Sequence, residues 1–469
     1  MATFPDHPLL EIFSFCLDQE GADQWHALVH MCQRWRYVIL GSPRRLDLRL
    51  LCTPERSVRR MLDIWPPLPL QISNPGCSEL AWWRGAGDII AALGHKDRIV
   101  RISLFDVPSK LWQELLAAMK EPLPALTKLR MWSDFPWSPH QRTKEPLPDS
   151  VLGGSAPLLQ LLSLKRVPYP ALPKLLSSTR DLADLEVLNL PYISSEDIIA
   201  CLPSMTKLTT FTLEFGSDRH PRQEPRLSSR QERTLLDSLT YFRFRGSTGY
   251  LEDLVSHIDA PRLSKVVLTF VEPIVSADIS QLSHLIGQAD NFQLLNQADI
   301  DIFDTNDAIV ELRLNAGKAS TVCCELTIPC RDGGDGPLST LVQVCVNGTE
   351  TSPPSSLPLS TLEHLTISGC RDSWPAWGNR WLELLFAFTA AKNLYLSEDV
   401  ASDLLPVLND VTGECTAEVF PVLQNLFLEE YRPRPELVQK AIQEFTAVRR
   451  LAGGPVDVGK WKRWPFSGE

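Results

Sequence analysis

The chain has 469 residues, far above the length at which one compact core stops growing, so several domains or a repeat must accommodate it. Hydrophobic residues make up 44% of the sequence and charged residues 22%, which is ordinary for a folded globular protein and excludes general disorder. The formal net charge of −11 is unfavourable for nucleic acid or an anionic membrane surface, because such partners need clustered Lys and Arg. We expect neither as a partner.

Neither a secretory signal nor a membrane span is predicted. The first residues carry Asp6 and Glu11 and lack a basic segment followed by a long apolar stretch. No apolar run approaches the roughly 18 residues that a membrane-spanning helix requires. We therefore expect an intracellular protein, in the cytoplasm and/or the nucleus.

The 11 cysteines are not spaced as metal or redox sites, because no pair has C-x-x-C spacing. We expect reduced thiols, no cofactor and no bound metal. Several cysteines fall within apolar periodic stretches, where a free thiol behaves as a small hydrophobic group. These are Cys16, Cys32, Cys201, Cys324 and Cys345.

Three short helices are predicted in the first 45 residues. Pro5 suits a helix start, Gly21 ends the first helix and Asp23 can cap the second. Helices of this total length cannot enclose a dry core without a disulfide, a metal or a partner. Their apolar excess should face a partner, the next domain, or both. The apolar stripes at helical spacing are Leu9, Ile12, Phe13, Cys16 and Leu17; Trp25, Leu28, Val29 and Cys32; and Trp35, Val38 and Ile39.

The same segment carries a recognisable motif. Pro5 is followed by Ile12 and Phe13 seven and eight residues later, and a Cys-x-x-Trp-Arg sequence begins at Cys32. These residues resemble an F-box, in the version common among mushroom-forming fungi. The resemblance continues through residues 43–54, 62–69, 250–255, 381–385 and 392–397, and so spans most of the chain.

The resemblance implies docking on the S-phase-kinase-associated adaptor of cullin-RING ubiquitin ligases. Three residues depart from the usual motif: Phe4 stands where it has Leu, His7 where it often has Glu, and Pro8 where it often has Leu. The alternative is therefore that these helices only cap the rest of the chain. The residues assigned to the F-box-like face are Pro5, Leu9, Ile12, Phe13, Leu28, Val29, Cys32 and Trp35.

From residue 45 onward a six-residue pattern returns, apolar at positions one, four and six. It predicts a short strand with alternate side chains buried. Between residues 126 and 268 successive starts fall roughly 23 to 33 residues apart, near the ~20 to 29 of leucine-rich repeats. The pattern occurs at residues 126–131, 159–164, 185–190, 208–213, 239–244, 263–268, 309–314, 362–367 and 423–428.

Amphipathic helices are predicted between these strands, at residues 109–119, 195–202 and 248–258. Strand followed by helix predicts an α/β fold: an irregular leucine-rich-repeat-like solenoid, or horseshoe, with a parallel sheet. We assign residues 1–45 to an F-box-like helical domain and residues 46–469 to the solenoid. Surface loops are predicted at residues 133–150, 216–234 and 349–361. Residues 290–350 fit the repeat least well, with a strand at 323–328.

Two clusters contain possible metal ligands but lack the full ligand pattern of a known metal motif. His26 and His30 have the spacing of helical metal ligands, but Ala27 stands where a metalloprotease needs Glu, so helix packing or a solvated face is favoured. A group of aspartates could offer oxygen ligands to calcium, but the EF-hand register fails, and outward acids on a strand and turn are favoured. These are Asp299, Asp301, Asp304 and Asp307.

A third cluster consists of arginines in one predicted loop. A group of guanidinium groups can hold a phosphorylated or acidic peptide, although Glu224 and Glu232 dilute the charge and a solvated loop is favoured. The arginines are Arg219, Arg222, Arg226, Arg230 and Arg233.

No catalytic centre is nominated, and we expect no enzyme activity. The F-box resemblance implies a substrate-recognition adaptor of a cullin-RING (SCF) ubiquitin ligase, which would bind an unknown protein substrate through the solenoid. The alternative is a protein-interaction scaffold outside any ligase, whose F-box-like helices cap the solenoid.

Overall fold

The computed structural model of the protein falls into two compact units. The first comprises Met1–Ile193 and Ala200–Leu208, and the second comprises Ser194–Ile199 and Thr209–Glu469. The residues that the structure describes are 5–20, 25–74, 79–133, 146–190, 193–216, 233–271, 279–303, 308–316, 323–330, 358–369, 380–410, 419–429, 436–451 and 453–462.

The first unit begins with three helices: α1 (Asp6–Glu20), α2 (Trp25–Met31) and α3 (Gln33–Gly41). Cys32 is the N-cap of α3, and its Sγ accepts a hydrogen bond from the backbone N–H of Trp35 at 3.4 Å. A sulfur is a weak acceptor, but it satisfies one of the free N–H groups at the helix start. The boundary at residue 45 between a helical domain and a solenoid stays a prediction.

Six strands follow in the first unit, and each pairs in parallel with the next along the chain. Their aligned apolar residues, such as Leu129, Leu162 and Leu185, form one buried row. This is the parallel ladder that the repeated apolar pattern predicts. The strands are β1 (Leu50–Cys52), β2 (Leu70–Ser73), β3 (Ile99–Phe105), β4 (Lys128–Trp132), β5 (Leu161–Lys165) and β6 (Asp184–Leu190).

Helices connect most of these strands and bury their apolar side chains. In the helix at Ser109–Ala118, for example, Leu111, Trp112, Leu115 and Leu116 are buried, which follows the helical period of the sequence. Short 3-10 turns lie at Lys96–Arg98, Val151–Gly154 and Leu202–Ser204. The helices are α4 (Val58–Ile64), α5 (Glu79–Leu93), α6 (Ser109–Ala118) and α7 (Leu172–Ser178).

In the second unit a main sheet of ten described strands accompanies a two-stranded parallel ribbon. Its strands are β7 (Thr210–Phe215), β9 (Tyr241–Gly246), β11 (Lys265–Phe270), β14 (Cys323–Cys330), β13 (Ala308–Asn315), β12 (Gln297–Phe303), β15 (His364–Gly369), β16 (Asn393–Leu396), β17 (Asn425–Glu429) and β18 (Asp457–Trp461), in spatial order. The ribbon pairs β8 (Thr234–Leu235) with β10 (Ile258–Asp259).

The helices of the second unit follow the same alternation with strands. Short 3-10 turns lie at Asp290–Leu294 and Pro358–Thr361. The helices are α8 (Ser195–Ile199), α9 (Thr248–Val255), α10 (Ser280–Gln288), α11 (Arg380–Leu385), α12 (Glu398–Asp410) and α13 (Glu436–Leu451).

The prediction of a parallel sheet is wrong for one strand. β13 runs antiparallel to both β12 and β14. Four residues separate β12 from β13 and seven separate β13 from β14, whereas a parallel crossover needs a dozen or more. The short connections therefore require hairpins, which is why residues 290–350 fit the repeat least well.

Candidate functional site

The eight residues assigned to the F-box-like face separate into a buried and an exposed set. The buried members are Leu9, Phe13 and Val29, the half-buried members are Leu28 and Trp35, and the exposed members are Pro5, Ile12 and Cys32. The face is therefore not one surface: part of it forms the interior of the helices and part of it is open to a partner.

Helix α1 has two apolar faces. Leu9 and Phe13, four residues apart, point inward and are 8% and 1% exposed. Ile12, Phe15 and Cys16 are spaced by three and four residues and share another face of the helix, where Ile12 is 50% and Phe15 67% exposed. A helix with a second, exposed apolar face has more apolar surface than its own fold buries.

The other two helices also expose large apolar side chains. Met31 at the end of α2 is 68% exposed, and Tyr37 in α3 is 79% exposed. We call Ile12, Phe15, Met31 and Tyr37 together the exposed helix residues. The sequence analysis placed only Ile12 among the site residues. The sequence signal for Phe15, Met31 and Tyr37 is that each is a large residue directly before a member of a predicted apolar stripe, but outside that stripe.

The buried face holds the three helices together. The rings of Phe13 and Trp35 meet edge to face with centroids 5.0 Å apart. The guanidinium Nε of Arg36 donates to the carbonyl oxygen of Val29 at 3.1 Å, which joins α3 to α2. These contacts fix the backbone from which the exposed helix residues project.

Helix α2 is also fastened to the first repeat. The indole Nε1 of Trp25 donates to the carbonyl oxygen of Arg49, next to β1, at 2.9 Å. The ring of Trp65, which ends α4, lies 4.9 Å from the rings of both Trp25 and His26 and 5.9 Å from that of His30. The two histidines suggested as metal ligands therefore pack against an aromatic side chain.

Charged residues surround these helices as exposed ion pairs. Arg34 binds Asp6 at 2.8 Å, and Arg45 binds Glu11. Exposed pairs of this kind contribute about 0 to 1 kcal/mol each, so they orient the helices more than they stabilise them. A partner of the exposed helix residues gains mainly from apolar burial.

The prediction of outward acids is wrong for one member of the aspartate cluster, Asp301. Asp301 in β12 is buried and accepts hydrogen bonds from Arg313 in β13 and Ser368 in β15. Nearby, burial of its carboxyl group raises the pKa of Glu311, while Arg313 opposes that shift. The carboxylate of Asp301 thus links three strands. Asp304 and Asp307 lie outside the described residues.

The structure describes some of the cysteines and one of the clustered arginines that the sequence singles out. Cys201 and Cys324 are buried, as the apolar pattern predicts, whereas Cys16 and Cys32 are exposed. Of the arginine cluster only Arg233 lies in the described part, where it binds Asp259 at 3.0 Å. The remaining four arginines and Cys345 lie outside the described residues.

The described residues contain no group of three or more His, Cys, Asp or Glu side chains placed to hold a metal ion. Among the helices in the described ranges, none is long and apolar enough to cross a membrane. The described surfaces of interest are the exposed helix residues and the open face of the main strands in each unit.

No protein-family model matches the sequence. No curated protein matches it either. Among solved structures, the chain is similar to the leucine-rich repeat-containing protein LegL7 from Legionella pneumophila, with 12% identity and a TM-score of 0.26, covering 85% of this chain and 98% of that one. The leucine-rich-repeat-like architecture rests on the repeated strand and helix within each unit.

Proposed function

We propose that the protein is a substrate-recognition subunit of a cullin-RING ubiquitin ligase, which docks the S-phase-kinase-associated adaptor through α1, α2 and α3. The observation that supports this proposal is the second apolar face of α1, where Ile12 and Phe15 are half or more exposed although Leu9 and Phe13 already supply the helix with a buried face. An F-box-like sequence and an unburied apolar face coincide in the same helix.

Burial of these side chains contributes to docking but does not account for a tight complex by itself. Full burial of one large apolar side chain contributes about 1.5 to 3 kcal/mol. Ile12, Phe15, Met31 and Tyr37 are each at least half exposed. Burying their exposed fractions is therefore worth about 4 to 8 kcal/mol against an association cost of about 4 to 15 kcal/mol, so other residues of the interface must also contribute.

The repeats supply the second half of the function. Each unit presents a sheet whose outward side chains are free to contact an extended or folded protein substrate. The chain performs no chemistry in this proposal. It raises the concentration of a protein substrate near the enzyme that transfers ubiquitin, in the cytoplasm and/or the nucleus.

A second candidate function is a scaffold outside any ligase, in which α1, α2 and α3 only cover the end of the repeat. The contacts of Trp25 with Arg49 and with Trp65 favour it, because they fasten α2 to the first repeat as a cap requires. The two candidates differ in whether the exposed helix residues have a partner.

A pull-down with purified adaptor distinguishes them. Ile12→Asp places a charge within the proposed contact, and an unpaired buried carboxylate costs several kcal/mol, so we expect binding to fall by at least about a hundredfold. The matched control is Leu158→Asp, because Leu158 is 47% exposed, close to the 50% of Ile12, and lies among the repeats. A circular-dichroism melt of each variant shows that the fold is retained.

Binding by the native chain and by Leu158→Asp, but not by Ile12→Asp with an unchanged melt, supports the ligase subunit. A native chain that does not retain the adaptor contradicts it and favours the scaffold.

A further inference from the structure

The open face of the sheet in the first unit carries an unusual set of side chains on β3 and β4. Ile102 and Leu104 of β3 are buried, and so are Leu129 and Met131 of β4. Because side chains alternate along a strand, the intervening residues share the opposite, open face. They are Arg101, Ser103 and Phe105 on β3, and Lys128, Arg130 and Trp132 on β4.

Three of these residues are cations, which we call the basic strip: Arg101, Lys128 and Arg130. Arg101 and Lys128 are direct register partners on parallel strands. Like charges placed opposite each other destabilise a sheet. Within the described ranges none of the three forms an ion pair, and the Nε of Arg101 is buried without a hydrogen-bond partner. The positive charge of the strip is therefore not neutralised by an ion pair within the described residues.

Acidic residues on the same face form no ion pair with the strip within the described residues. Asp184 and Glu186 lie on β6, two strands beyond β4, which is about 10 Å between backbones at the usual spacing of strands. The carboxylate of Glu186 extends toward the strip and accepts a hydrogen bond at 2.6 Å from Ser163, the register partner of Arg130 on β5. Arg130 nevertheless forms no ion pair with it, so the three cations remain available to a ligand.

An aromatic pair lies at the other end of the same two strands. The rings of Phe105 and Trp132 meet edge to face with centroids 5.0 Å apart, and both are half-buried. The indole Nε1 of Trp132 donates to Ser163 Oγ at 2.7 Å, and Lys165 Nζ lies 5.6 Å from the indole ring. The pair is thus held in place and presents a rigid apolar surface, a feature of binding hot spots.

We propose that this face binds an acidic, extended segment of the protein substrate, with carboxylates on the basic strip and a bulky apolar side chain on Phe105 and Trp132. Arg101 and Phe105 are four residues apart, about 13 Å along a strand, so the segment carries an acid and an apolar residue about four positions apart. The net charge of −11 opposes the approach of an acidic ligand at long range, so its affinity depends on direct contacts with the basic strip. The inference rests on the proposed function and adds the class of substrate.

Fluorescence anisotropy with the full chain tests this proposal. The probe is a fluorescein-labelled decapeptide with three consecutive Glu residues and a Phe four positions after the second. We expect saturable binding that weakens with added NaCl, and that falls at least about tenfold for a peptide in which Gln replaces Glu.

A pair of charge-matched variants shows where the peptide binds. The first combines Arg101→Glu, Lys128→Glu and Arg130→Glu. The control combines Lys120→Glu, Lys174→Glu and Arg180→Glu, which changes the net charge equally at exposed positions outside the strands of the sheet. Arg130→Glu alone serves if the first variant does not fold, because Arg130 is exposed.

We expect the basic-strip variant to lose at least about tenfold in peptide affinity and the control less than about twofold. Equal losses in both variants, no binding by the native chain, or equal affinity for a single-stranded RNA oligomer overturn the proposal. Adaptor pull-down by the basic-strip variant separates the two ideas. A native chain that retains the adaptor but does not bind the peptide overturns only the acidic segment, whereas a native chain that does not retain the adaptor overturns the proposed function.

Discussion

Asn74, at the end of β2, shows how one polar side chain joins neighbouring repeats. Its side-chain Nδ2 donates to the carbonyl oxygen of Phe105 at 2.6 Å, and its Oδ1 accepts from the N–H of Phe105 at 2.7 Å. The amide therefore satisfies both backbone groups of a residue at the end of β3. Asn74 is buried, so water cannot replace it.

Asn74→Ala is expected to lower the free energy of unfolding by about 2 to 3 kcal/mol, because it leaves a buried donor and a buried acceptor of Phe105 without partners. The matched control is Asn291→Ala, which removes one side-chain bond, to Leu263, and should cost about 0.5 to 1.5 kcal/mol. Urea unfolding followed by tryptophan fluorescence measures both. Equal losses in the two variants count against a linking role for Asn74.

At the scale of single residues, the sequence indicates which side chains are apolar and regularly spaced better than it indicates which of them are exposed. Leu9, Phe13 and Val29, which belong to the apolar stripes and are assigned to the F-box-like face, are buried within the helices. The helical periodicity groups Ile12 with Leu9 and Phe13, because residues three and four apart fall on overlapping faces of a helix. Which of two apolar faces is covered depends on neighbours distant in sequence, such as Trp35 against Phe13.

At the scale of elements, α2 depends on the first repeat through Trp65. That ring contacts the rings of Trp25, His26 and His30, and it ends α4. Three short helices cannot bury enough surface alone, and this aromatic cluster supplies part of what they lack.

Trp65→Ala is expected to destabilise the three N-terminal helices by about 2 to 4 kcal/mol, because a cavity replaces the shared aromatic contact. Limited proteolysis should then cleave within α1, α2 and α3 at a higher rate while β3, β4, β5 and β6 stay protected. The control is Trp83→Ala, a partly exposed tryptophan in α5. Unchanged proteolysis of the helices in Trp65→Ala shows that they fold without this contact.

The elements themselves are largely predictable from the apolar pattern. Strands occur at all nine predicted segments, although β4 begins at Lys128, two residues after the pattern begins at Leu126, because the first leucine packs before the strand starts. The direction of β13 was not predictable from its own residues. It depends on the lengths of the two connections, and the strand order there follows from the hairpins.

At the scale of the whole molecule, each unit repeats one local arrangement of strand and helix. A strand buries alternate side chains, a helix or turn covers them, and, except around β13, the next strand pairs in parallel. Such a chain leaves one side of each sheet open, and its partners are chosen by the outward residues. The repeat can be recognised in the sequence. The partner that binds an open sheet face depends instead on the charge and shape of a few side chains.

Hydrogen–deuterium exchange of the full chain, with and without the purified adaptor, directly tests whether the adaptor docks on the three N-terminal helices. We predict slower exchange in peptides covering α1, α2 and α3 when the adaptor is present, because Ile12, Phe15, Met31 and Tyr37 become buried. Peptides covering β3 to β5 should exchange at the same rate in both samples. Unchanged exchange in α1, α2 and α3, or protection confined to the repeats, would contradict the account.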